Sequence, residues 1–147
     1  AIELASYSID NNLGGPFGAV IVRNGEIIGE GFNRVTTIND PTAHAEIVAI
    51  RNACKNINSF QLDNCQIYSS CEPCPMCLGA IYWARPSALY FASSKEDASK
   101  AGFDDSMIYK EILLSIDKRK IKSVYVPSEQ AKNVFEKWIT ITKKTMY

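Results

Sequence analysis

Two short stretches constrain this chain most: Thr42-Ala43-His44-Ala45-Glu46 and Cys71-Glu72-Pro73-Cys74-Pro75-Met76-Cys77, each lying where a helix is predicted to begin. One histidine nitrogen and two thiolates are good zinc ligands. Three protein ligands leave the fourth tetrahedral position open to water, the catalytic rather than the structural arrangement. Cys74 and Cys77 stand three apart, so a helix presents both sulfurs on one face. Pro75 sets them in its first turn, where unpaired N–H groups and the helix dipole favour thiolate over thiol. His44 is the single histidine of the chain, so a site of this composition has one candidate nitrogen. The two stretches have to be taken together, and any fold that unites them brings two helix starts to one place.

The rest of the pattern says how. Residues 1–12 are compatible with a short helix, broken by Gly14-Gly15-Pro16. Apolar runs over 17–22 and 27–32 flank Asn24-Gly25, a strong hairpin signal. Asp40-Pro41-Thr42 then offers a capping residue and a proline for a first helical turn, after which Ala43, Ile47, Ile50, Cys54 and Ile57 recur at three- and four-residue spacing. His44 is expected at the very start of that helix. Residues 66–70 read as a buried strand feeding the cysteine loop, and 76–84, apolar on almost every face, as a buried helix. Strands are predicted at 88–92 and 123–126, and helices at 107–116 and 130–141. Five strands interleaved with helices predict an α/β layered sheet in which the first hairpin is antiparallel.

Glu46 tilts the metal toward catalysis. Two residues from His44, it does not share that ligand's helical face, so it is expected to stay off the metal and to be free for proton work. Two bland readings stand beside this one. A lone histidine is more often packed or solvated than ligating, and Cys71 supplies a fourth ligand for a closed Cys₃His structural site used as an interaction module.

Composition narrows the partners. With 147 residues, one domain spanning 1–147 is expected. Sixteen basic residues balance 16 acidic ones, so no global field draws the chain to a polyanion, and nucleic acid is disfavoured. The basic run around Lys118-Arg119-Lys120 reads as a solvated loop. No apolar stretch approaches the roughly 18 to 20 residues of a membrane helix, so no membrane partner and a cytoplasmic location are expected. Beginning at Ala1 rather than Met, the sequence is expected to lack a few N-terminal residues. Cys54 and Cys65 read as small buried apolar residues.

The combination of His44-x-Glu46 with Pro73-Cys74-x-x-Cys77 resembles the cytidine deaminase-like zinc deaminases. Four further stretches, Gly14 to Val20, Asn39 to Glu46, Ala80 to Pro86 and Ala101 to Ser106, most closely resemble the bacterial guanine deaminase members of that superfamily. The resemblance implies a three-layer α/β/α fold around a central mixed five-stranded sheet. It also implies one zinc ion per chain on His44, Cys74 and Cys77, with Glu46 as the proton carrier and the backbone of Ala45 beside the metal. Guanine would be hydrolysed to xanthine and ammonia. By the same resemblance Asn33 both donates to and accepts from the purine, and Asp105 accepts from its N–H edge. Phe17, Trp83 and Phe103 wall the ring, although Trp83 and Phe103 also read as core aromatics. Relatives of this kind form homodimers that exchange C-terminal segments, with a terminal tyrosine, here Tyr147, over the partner's site. A tRNA adenosine deaminase or a cytosine deaminase shares the metal motif and remains an alternative.

Overall fold

The computed structural model describes residues 1–147. The chain forms two compact units, Ala1–Ser106 and Met107–Tyr147.

The first unit is built on a four-stranded sheet of order β2-β1-β3-β4, with β1 at Gly18–Arg23, β2 at Glu26–Phe32, β3 at Cys65–Cys71 and β4 at Ala88–Ser93. β1 pairs antiparallel with β2 and with β3, and β3 pairs parallel with β4. The hairpin turns through Asn24 and Gly25 with φ of 52° and 82°, the doubly positive geometry expected of Asn-Gly.

Two helices on opposite faces make the layers. α3 (Ala45–Ile57) packs on the face formed by the rows Gly31–Ala19–Ser69–Phe91 and Gly29–Ile21–Ile67–Leu89. Its stripe Ala45, Ala49 and Ala53 is fully buried with Ile21, Leu62, Cys65 and Ile67. The approach is close because β2 has glycine where it meets the helix. A Cβ on Gly31 would stand 2.5 Å from Ala45 O, and one on Gly29 would stand 2.5 Å from Ala53 N. Asn52 and Asn56 on α3 donate their side-chain amides to the carbonyls of Glu30 and Ile28, satisfying the outer edge of β2. α1 (Ile2–Asp10) lies on the other face, where Gly18 has no room for a Cβ against Ala1 O and Ala5 N. α4 (Pro75–Ala84) is the crossover between the parallel strands, and α2 (Val35–Ile38) and α5 (Lys95–Lys100) are short connecting turns.

The second unit holds most of α6 (Ser106–Leu113), a 3₁₀ turn (Ile116–Lys118) and α7 (Glu129–Thr140), whose first turn is capped by the Ser128 hydroxyl accepting from Ala131 N–H. None of these helices is long and apolar enough to cross a membrane.

The sheet has four strands where five were expected. Residues 123–126 are not a strand: Val124, Tyr125 and Val126 are exposed, and a strand exists only where another supplies the hydrogen bonds of its ladder. The helix expected from Ala43 starts at Ala45, because Asp40 Oδ1 accepts from the N–H and hydroxyl of Thr42 and keeps 40–42 in a turn. α5 was not foreseen, although Ser94-x-x-Asp97 carries its signal: both reciprocal bonds of a capping box are present.

Candidate active site

Both ligand stretches act as helix N-caps. His44 caps α3 in extended backbone (φ −69°, ψ 156°) and Cys74 caps α4 likewise (φ −63°, ψ 167°). Neither residue is locked to a helical face, and the unpaired N–H groups of two helix starts surround the space between them. His44 Nδ1 lies 3.6 Å from Cys74 Sγ and 3.6 Å from Cys77 Sγ. All three donor atoms fall within 4.8 Å of one another. A tetrahedral zinc with Zn–N of about 2.05 Å and Zn–S of about 2.3 Å sets nitrogen and sulfur about 3.6 Å apart, so this donor set fits the ion in chemistry and in spacing. Cys71 is not in the cluster. It ends β3 with its thiol donating to Ser94 O at 3.4 Å, which removes the fourth ligand a closed Cys₃His site would need.

The protons are distributed unevenly. Hydrogen bonds from Cys77 and His44 outweigh burial and hold the Cys74 thiol down to about 4. Cys77 is pushed strongly upward, first by sharing its proton with the Cys74 sulfur, then by burial and the neighbouring Glu46 charge. His44 is raised chiefly by its hydrogen bond to Cys74.

Glu46 is in the first turn of α3 and only 4% exposed. Its Oε2 accepts from the Cys77 thiol at 3.3 Å and its Oε1 accepts from the Ser69 hydroxyl at 3.0 Å. The carboxyl reaches the cluster without sharing a helical face with His44, because His44 precedes the helix. Ala45, the first helical residue, is fully buried between the two. Nothing in the sequence pattern singled out Ser69. Its signal was a hydroxyl in the inward row of an otherwise apolar strand.

The loop that precedes β1 meets the loop that follows α5. Phe17 and Phe103 pack edge-on with ring centroids 4.9 Å apart, and a Cβ on Gly15 would lie 3.1 to 3.2 Å from both rings. Asp105 is raised by burial first and by the Cys74 charge second, which places it in the field of the cluster. Gly102, at φ 94°, turns the chain into this loop. Upstream, Glu72 receives the Lys95 N–H at 3.3 Å and ties the start of α5 to the cysteine loop.

Asn33 is buried, and its side-chain oxygen already accepts the N–H of Gly15 at 3.2 Å and of Val35 at 3.3 Å. Both bonds engage the acceptor side of the amide. With Oδ1 occupied by the loop it holds, it has N–H to offer a ligand. Trp83 is 65% exposed and Phe103 half-exposed, so neither is a core aromatic. Tyr147 belongs to the second unit and is 69% exposed.

Comparison with known proteins agrees with the geometry. Guanine deaminase of Bacillus subtilis is 54% identical over 147 residues, spanning all of this chain and 94% of the relative. The X-ray structure of that enzyme superposes with a TM-score of 0.97, covering 100% of this chain and 94% of its own. A tRNA-specific adenosine deaminase of Buchnera aphidicola is 40% identical over 122 residues, 83% of this chain and 77% of that one. A guanine deaminase structure from Nitrosomonas europaea matches at 33% identity and TM-score 0.67, covering 71% of this chain and 60% of that one. Residues 1–93 match the family described as the cytidine and deoxycytidylate deaminase zinc-binding region, and with its three ligands and neighbouring carboxyl in place this chain belongs to that family.

Proposed function

We propose that this chain hydrolyses guanine to xanthine and ammonia. The observation that carries the reading is a buried carboxyl, Glu46, set 3.3 Å from one member of a three-ligand cluster whose fourth position no side chain fills. The full-length likeness to a guanine deaminase selects the base.

Zinc held by His44, Cys74 and Cys77 would acidify a water and make a hydroxide nucleophile available at neutral pH. The remaining steps belong to the chain. Glu46 takes one water proton and passes it to the ring nitrogen as the oxygen adds to the amine-bearing carbon; it then takes the second proton from that oxygen and gives it to the amine, so that the C–N bond breaks, the carbonyl forms and ammonia leaves. A positioned group of this kind is worth roughly 10²- to 10⁴-fold in rate. The Ala45 N–H, unpaired at the first turn of α3, steadies the charge that develops beside it. Asn33 donates its amide N–H to a purine acceptor. Asp105 accepts from the N–H edge that guanine presents and adenine lacks. Phe17, Trp83 and Phe103 wall the ring.

The working unit is proposed to be a homodimer of single catalytic domains, each spanning 1–147, in which C-terminal segments are exchanged. Three observations support a second copy. β4 is an edge strand with Tyr90 and Phe91 half-exposed. A groove of about 620 Å³ on the α1 face is lined by Val20, Val22, Tyr68 and Tyr90 and lacks any of the ligands. In the second unit, Val134, Phe135 and Ile139 of α7 are largely exposed. Tyr147 would then close the partner's pocket. Five free cysteines suit a reducing compartment, and a cytoplasmic location belongs to the same proposal.

Xanthine release from guanine, measured beside turnover of a tRNA anticodon stem-loop and of free cytosine, tests the substrate. Zero net charge leaves a tRNA backbone little to hold to. Zinc-loaded protein inactive on guanine would refute the proposal. Light scattering tests the dimer, and a monomer at working concentration would remove the exchange.

A further inference from the structure

We propose that Ser69 is a positioning residue for proton transfer: its hydroxyl clamps one oxygen of Glu46, so that the other oxygen does the work. The proposal rests on the reading that Glu46 carries the proton, and extends it to a residue outside both ligand stretches.

The geometry assigns different duties to the two oxygens. Oε1 accepts the Ser69 O–H at 3.0 Å, with Ser69 itself 5% exposed. Oε2 faces the cluster, 3.3 Å from Cys77 Sγ. Ser69 is well suited to the clamp because of where it sits. It lies in β3, paired on both sides, with Ala19 across from it on β1 and Phe91 on β4. The preceding inward residues of that strand, Cys65 and Ile67, are fully buried core. A hydroxyl at the next inward position is costly to bury unless it is partnered, and Ser69 donates to Glu46. The adjacent Ser70 has a different task, accepting the Gly18 N–H at 3.0 Å. Glu46 needs such an anchor. Its carboxyl stands on three rotatable bonds, and being on the first turn of α3 restrains only its Cα. With Oε1 held to the sheet, the carboxyl cannot rotate its working oxygen away, and its orientation is inherited from a strand rather than from a helix end.

The test uses the zinc-loaded protein, with guanine kinetics, zinc content and melting temperature measured for Ser69→Ala, Ser69→Thr and Glu46→Gln. Ser69→Ala is expected to lower kcat about 10- to 100-fold, the usual effect of losing a group that orients a site residue, with KM and zinc content close to the parent. Ser69→Thr keeps the hydroxyl and is expected to recover most of that loss. Full kcat in Ser69→Ala, alongside an inactive Glu46→Gln, would overturn the role of Ser69 alone. A loss in Ser69→Ala that follows zinc content or melting temperature, and that Ser69→Thr does not recover, would make the residue structural and also overturn it. An active Glu46→Gln would instead remove the assignment of Glu46 on which the proposal stands.

Discussion

Gly31→Ala is a small change in composition with a large expected effect on the site. An added Cβ would stand 2.5 Å from Ala45 O and 2.6 Å from Ala49 N, both backbone atoms of α3 that no rotamer change can move. Ordinary contact begins at 3.4 Å, so the start of the helix must retreat by about 0.9 Å. That start carries His44 and Glu46 on either side of Ala45. Overpacking of this kind costs about 1–3 kcal/mol, a fall of roughly 2–12 °C in melting temperature for a chain of this size. Displacing a reacting group by about 1 Å costs on the order of 10²-fold in rate. Gly29→Ala is the control. Its Cβ would stand 2.5 Å from Ala53 N and 2.7 Å from Ala49 O, a comparable clash, but about one turn further along the helix and away from His44 and Glu46. Both variants should lose similar stability by thermal denaturation, while guanine turnover per zinc should fall far more in Gly31→Ala. Equal losses of turnover per folded, zinc-loaded molecule would refute the argument that close strand–helix contact sets the site.

Three other outcomes are expected. Glu46→Gln should lower kcat by about 10²- to 10⁴-fold, or roughly 3 to 5 kcal/mol of barrier, while zinc analysis and circular dichroism stay near the parent. Zinc added to metal-free protein should release about one to two protons near pH 7 and bind more tightly as pH rises, because His44 and Cys77 are raised and hold protons that the ion displaces while Cys74 is already ionised. Calorimetry in buffers of different ionisation enthalpy reads that number, and a value of zero would contradict the proton distribution. Asp105→Asn should impair guanine turnover far more than stability. The folded-state pKa of Asp105 is raised, so its contribution to stability is present below the unfolded carboxylate value and is lost as pH climbs through the raised one. Asparagine removes that loss, so at neutral pH the variant should melt no lower than the parent, and equal damage to activity and melting would reassign Asp105 to the fold.

The ligands were legible in the linear pattern because metal chemistry restricts them to a few residue types, and a three-residue spacing at a helix start has local consequences that need no knowledge of the fold. The same holds for the Asn24-Gly25 hairpin and the apolar spacing of α3, both of which depend on near neighbours. What lay beyond reach depended on distant partners. Ser69 is an unremarkable strand serine until β3 carries it beneath Glu46, and the acceptor of Asn33 is engaged only because Gly15 and Val35 fold back onto it. Residues 123–126 have the apolar character of a strand, yet a ladder needs a neighbouring edge, which local propensity cannot supply. Short-range rules thus chose the ion and its ligands, while the orientation of Glu46 and the number of strands followed from which surfaces meet in three dimensions.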